Sequence, residues 1–163
     1  MISKMVQDTI NEQIKNELYS AYLYLAMSAY FEAQTLPGFA HWTRLQAQEE
    51  VEHAMKFFDF INARGGKVEL MALDQPPSEW SSNLEVFEQI YAHEQKVTGL
   101  INHLYEVALA EKDYPAQVLL QWYIGEQVEE EKNAFEIVEQ LKMIEARGTA
   151  VLMLDHQLAK RGE

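Results

Sequence analysis

Six polar side chains fall where a helical bundle should be apolar: Glu17, Glu50, His53, Glu94, Gln127 and Glu130. Their spacing repeats. Glu17 to Glu50 and Glu94 to Gln127 both span 33 residues, Glu17 to His53 and Glu94 to Glu130 both span 36, and the two sets are offset by 77. Each set is one Glu followed far downstream by a polar-x-x-polar pair, whose three-residue step puts both members on one face of a helical turn. Four buried carboxylates facing one another are untenable without compensation. Glu17, Glu50, Glu94 and Glu130 sum to −4 when ionised, and two divalent cations would balance them. Carboxylate-rich ligation with one neutral imidazole, His53, suits iron or manganese and would also accept zinc.

Such a site needs four elements to carry it. Glycine and proline gather at Pro37-Gly38, Gly65-Gly66, Pro76-Pro77, Pro115 and Gly148, and the stretches between them are rich in Ala, Leu, Glu, Gln and Lys. The punctuation predicts helices near 4–34, 37–64, 83–112 and 114–145, with a short one near 149–160. Ser82-x-x-Glu85 forms a capping box for the third, and Asp113 before Tyr114-Pro115 starts the fourth. Residues 67–82 lack a helical period and are longer than a bundle turn requires. They can run the length of the bundle and make the second and third helices parallel, while the short joins at 34–37 and 112–115 demand antiparallel neighbours. The expected fold is all-α: two helical hairpins joined by one crossover, in a single domain over 1–163.

On these helices the six residues fall in the buried stripes. The first helix reads Ile10, Ile14, Glu17, Ala21, Tyr24, Ser28, Phe31 in steps of three and four. The third reads Phe87, Ile90, Glu94, Val97, Ile101, Leu104, and the fourth Leu120, Tyr123, Gln127, Glu130, Ala134, Ile137. The second contributes Glu50, His53, Phe57 and Phe60, with polar Gln46 above. Each helix carries its anomaly near the middle.

Composition narrows the function classes. A formal charge of −13 on 163 residues disfavours a nucleic-acid backbone and favours cations. No cysteine is present, so thiolate zinc sites and Cys-ligated iron–sulfur clusters are excluded. No run approaches a membrane span and the N-terminus lacks a signal pattern, so a cytoplasmic protein without a membrane partner is expected.

The segments NELYSAYLYLAMSAY, GFAHWTRLQAQEEVEHAMKFFDF, HEQKVT and DYPAQVLLQWYIGEQVEEEK resemble the bacterial non-haem ferritins, and the resemblance covers nearly the whole chain, tail helix included. It implies a ferritin-like four-helix bundle with a fifth C-terminal helix and a ferroxidase centre inside each subunit. One iron would be held by Glu17, Glu50 and His53, and the other by Glu94 and Glu130, with Glu50 bridging and Gln127 beside the oxygen-binding space. A third iron would use Glu49, Glu126 and Glu129, with Glu130 shared. The implied reaction is oxidation of Fe(II) by dioxygen or hydrogen peroxide, followed by storage of ferric mineral in a 24-subunit shell.

Tyr24 either donates a hydrogen bond, and an electron, near the site or is a core tyrosine with a satisfied hydroxyl. The repeat is imperfect, since Gln127-x-x-Glu130 stands where bacterioferritins have a second Glu-x-x-His. A weaker, more exchangeable second iron position would follow. Val51 stands where those proteins place a haem-ligating methionine, so no haem is expected. The short segment Thr149 to Lys160 must pack on something, either its own subunit or, as the resemblance implies, symmetry copies around a fourfold axis.

Blander readings exist for each feature. Glu126, Glu129, Glu130 and Glu131 could be a solvated charge run. His41, His93, His103 and His156 lack partner spacing and read as structural or exposed; Trp42, Trp80 and Trp122 read as packing residues. Two other functions share the chemistry: a di-iron peroxidase of the rubrerythrin type, which generally carries a Cys-rich iron domain that this chain lacks, and a non-catalytic metal-binding shell protein.

Overall fold

A computed structural model describes residues 1–144 and 147–163. Five helices are present: α1 Lys4–Ala33, α2 Pro37–Ala63, α3 Asn83–Ala110, α4 Tyr114–Ile144 and α5 Gly148–Leu158. The expected bounds hold to within two residues where described; the expected end of the fourth helix, at 145, lies outside the described residues. Cross-helix pairs fix the directions. Ser28 meets Ala40 while Glu17 meets Glu50, Phe31 meets Phe87 while Tyr24 meets Glu94, and Gln46 meets Glu130 while His53 meets Tyr123, so α1 runs antiparallel to α2 and α3, and α2 antiparallel to α4. The second and third helices are therefore parallel.

The crossover is pinned along α1 at both ends. Asn11 bridges it like a strand partner, donating to the Lys67 carbonyl at 3.0 Å and accepting from the Glu69 N–H at 3.0 Å. At the other end the Trp80 ring meets Tyr30 edge-on at 5.3 Å. Ser82 caps α3 by accepting from the Glu85 N–H at 3.1 Å, but Glu85 reaches back to Ser81 instead of Ser82, so the capping box closes one residue early. Asp113 accepts from the Ala116 N–H at 3.1 Å and also pairs with Arg64 at 2.8 Å, tying the end of α2 to the start of α4.

Both hairpin turns end in the same way. Thr35 and Lys112, again 77 apart, adopt left-handed backbone at φ 60° and 55°. The next N–H then closes on the helix end, Leu36 on Phe31 and Asp113 on Ala108. Pro37 and Gly38, read from sequence as the punctuation at which the second helix begins, lie in the first turn of α2. Leu36 offers no side-chain cap; instead Asp155 of α5 accepts the N–H groups of Gly38 and Phe39 at 2.8 and 3.0 Å. A Cβ at residue 38 would lie 1.8 Å from the Asp155 carbonyl oxygen, so only glycine lets α5 approach. The short helix docks on its own chain through Leu154, Asp155 and Leu158, leaving Leu152 and Met153 exposed.

The core splits into two apolar clusters. One gathers Phe31, Phe39, Trp42 and Phe87 with Leu154 and Leu158; the other gathers Ile10, Phe57, Ile101, Leu104 and Tyr123. Between them runs a polar layer contributed by α1 to α4. Among the described residues no helix is long and apolar enough to cross a membrane.

Candidate metal centre

All six residues of the repeat are buried, none more than 6% exposed. Burial is the consequence of the stripes: each residue sits at a core register that continues into buried apolar side chains, such as Ile10 and Ile14 before Glu17, Phe57 after His53, Ile90 and Val97 around Glu94, and Leu120 and Ala134 around the Gln127–Glu130 pair. The helices bring Glu17, Glu50 and His53 together so that one ligand atom from each lies within 4.8 Å of the others. Gln13 donates to Glu17 Oε1 at 2.8 Å, whereas Glu17 Oε2 is buried with no partner, the sole such side-chain atom among the described residues. A buried carboxylate oxygen left bare costs free energy, so it is satisfied either by a proton shared with the neighbouring Glu50 carboxyl or by a cation. A cation bound by Glu17, Glu50 and His53 would satisfy it.

Glu94 and Glu130 are held differently. Glu94 accepts from the Tyr24 hydroxyl on Oε1 and from Gln127 on Oε2 at 3.2 Å. Gln127 also donates to the Glu94 carbonyl at 3.2 Å and to Thr98, whose hydroxyl donates to Glu131 at 2.6 Å. Glu130 Oε2 accepts from Gln46 at 2.6 Å. Glu94 thus has protein donors on both oxygens and Glu130 on one.

Burial dominates the electrostatics. It pushes the Glu17 carboxyl well above the ordinary range, with the charge of Glu50 adding to it, and does the same to Glu50, with Glu94 adding. Glu94 is raised to about 7 by burial, opposed by the bonds from Tyr24 and Gln127. Glu130 is raised to about 7 by burial and by Glu94, opposed by Gln46. Four buried carboxyls that resist ionisation side by side are a strain that bound cations would relieve.

His53 is fixed from behind. Tyr123 donates to its carbonyl at 2.6 Å, and the Trp122 ring stands edge-on to the imidazole at 5.4 Å. Outside His53 lies an open cleft of about 380 Å³ lined by Glu49, Glu52, Lys56, Glu126, Glu129 and Arg161, among others. Of the residues expected at a third position, Glu126 and Glu130 come within 4.8 Å of His53. Glu129 is exposed at the rim, and Glu49 is engaged by Arg161 at 2.7 Å. His93 is structural: it shares a hydrogen bond with Ser20 at 2.7 Å, and burial lowers it to about 4.

Sequence reasoning missed Gln13, Thr98 and Arg161 and noted Gln46 only as polar. A signal existed for two of them. Gln13 and Gln46, like the glutamates they donate to, are 33 apart and each stand four residues before a ligand-type Glu, although their counterparts 77 residues on, Ile90 and Tyr123, carry no amide. Nothing local marks Arg161, which reaches the site from the far end of the chain.

The sequence matches the family described as Ferritin-like domain over residues 7–144. A bacterial non-haem ferritin of Bacteroides fragilis is 44% identical over 161 residues, covering 99% of this chain and 100% of the relative. One from Campylobacter jejuni is 40% identical over 97% of this chain and 95% of its own length. Among solved structures, an open pore ferritin from the hyperthermophilic archaeon Archaeoglobus fulgidus superposes with a TM-score of 0.98 at 50% identity, covering 99% of each chain.

Proposed function

The chain belongs to the ferritin family, and from that premise we propose that it stores and detoxifies iron, oxidising Fe(II) at the carboxylate–imidazole centre in the cytoplasm. The observation that carries this reading is the bare, buried Glu17 Oε2 facing Glu50 and His53. Iron is the substrate. One Fe(II) is held by Glu17, Glu50 and His53, a second by Glu94 and Glu130, with Glu50 between them. Two adjacent ions give up one electron each. Dioxygen that takes the pair with two protons leaves as hydrogen peroxide, and hydrogen peroxide that takes a pair with two protons leaves as two waters. A one-electron radical product is avoided because both electrons are available together.

The protein's own groups fix the metal–metal spacing and the charge. Gln13 and Tyr24 donate to one oxygen each of Glu17 and Glu94 and leave the other free to turn toward an ion or a neighbouring amide. Gln127 holds Glu94 by the oxygen that would face the second ion, so the second position forms only when that amide yields. This favours a second site weaker than the first, suited to iron in transit. Glu49, Glu126 and Glu129, with Glu130, form the third position at the cleft beside His53. Ferric product passes from there to mineral inside a homo-oligomeric shell of 24 subunits.

Aerobic addition of Fe(II) to the assembled protein, followed by ferric absorbance, tests the reaction. Glu50→Ala and His53→Ala are expected to lower the initial rate by at least about tenfold. A wild-type rate no faster than buffer would leave a metal-binding shell without turnover; full activity in both variants would remove the centre from the reaction.

A further inference from the structure

The guanidinium of Arg161, which follows α5, lies against the metal centre's outer wall. Its Nη2 donates to Gln46 Oε1 at 2.8 Å and to Glu49 Oε2 at 2.7 Å, its Nη1 donates to the Trp42 carbonyl at 3.0 Å, and its plane covers the Trp42 ring at 4.4 Å. The chain there is held from the other side too, since His41 bonds the Arg161 carbonyl at 2.9 Å. Gln46 is 1% exposed, and its amide nitrogen donates inward to Glu130 Oε2 at 2.6 Å and to Glu50 Oε1 at 3.4 Å.

The chemistry of these partners leaves one arrangement. A guanidinium only donates, and Glu130 and Glu50, once ionised as metal ligands, only accept. Gln46 must therefore turn its oxygen to Arg161 and its N–H groups to the two glutamates; the flipped amide would set donor against donor on one side and oxygen against oxygen on the other. Without Arg161 the flip is opposed on one side alone. We propose that Arg161 is a positioning residue of the metal centre, acting through Gln46 to aim Glu130 at the second metal position. The tail helix is thereby part of the site: Asp155 anchors α5 on the start of α2, α5 delivers Arg161, and Arg161 orients Gln46. This rests on the reading that Glu130 ligates metal.

Cobalt(II), titrated into the assembled iron-free protein and followed by its visible absorption, tests the inference without turnover. Arg161→Ala is expected to weaken the step that Glu130→Ala abolishes by about tenfold, as loss of a hydrogen bond behind a ligand does. The step that Glu17→Ala abolishes should shift by less than about twofold, and in a Gln46→Ala background Arg161→Ala should add less than about twofold to the Glu130-dependent step. Equal weakening of both steps would mean a general structural loss and overturn the proposal. An undiminished Arg161 effect without Gln46 would also overturn it, in favour of action through the Glu49 charge. If Glu130→Ala leaves the wild-type titration unchanged, the underlying metal assignment fails, and the proposal with it.

Discussion

Glu17 and Glu94 hold equivalent places in the repeat but meet different neighbours, and that difference governs how protons and metal compete. Glu17 keeps a bare oxygen, while both oxygens of Glu94 accept protein donors. Glu94 and Glu130 are raised to about 7, so near neutral pH a metal ion must displace protons from them. Binding of zinc to the second position should tighten as pH rises from about 6 to about 8, with protons released into the buffer; calorimetry in buffers of different ionisation enthalpy measures both. Affinity flat across that range would contradict the shifts. The same groups set the stability of the metal-free protein. Their native carboxyls keep protons that the unfolded chain has already released between its ordinary carboxyl value and about 7. Stability from these groups is therefore greatest below that window and falls as pH rises through it. The metal-free melting temperature should be lower at about pH 8 than at about pH 6, and the gain on adding zinc larger at the higher pH.

At the scale of elements, α2 depends on α5 for its N-terminal cap. Gly38→Ala would drive a methyl into the Asp155 carbonyl, and denaturant unfolding should show a loss of about 2–3 kcal/mol. Asp155→Ala removes the cap without a clash and should cost about 1 kcal/mol. If the two variants are equally mild, α5 does not dock as described. The opposite sign is expected at the first hairpin, where Thr35 carries a β-branched side chain at positive φ. Thr35→Gly relieves that strain and should stabilise by about 1 kcal/mol. Pro37-Gly38 marked the start of the second helix in the sequence because both residues disfavour helix interiors; in the first turn neither penalty applies, and the glycine is required by a helix that arrives from the far end of the sequence.

For the whole molecule, the helices account for their own cores but leave apolar side chains outside. On α5, Leu152 and Met153 are 56% and 71% exposed while Leu154 and Leu158 are buried, so one face serves the subunit and the other faces outward. Leu152→Asp with Met153→Asp should leave the subunit's helicity and metal titration intact and lower the native mass of the assembly, read by light scattering. An unchanged mass would show that α5 does not hold copies together.

Periodicity alone placed Glu17, Glu50, His53, Glu94, Gln127 and Glu130 in core registers, because a helix turns by a fixed angle per residue and a polar residue in an apolar stripe is visible without any partner. Glycine and proline punctuation bounded the four long helices, and the lack of a helical period over 67–82 exposed the crossover. Only the tertiary structure decided what each carboxylate touches. Gln46 meets Glu130 across 84 residues, Arg161 meets Gln46 across 115, and Asp155 caps α2 across 117. Such contacts depend on how far each helix is rotated and slid against the next, to within a fraction of an ångström. A sequence period fixes which face turns inward, but hydrogen bonds of 2.6 to 2.8 Å are chosen by packing.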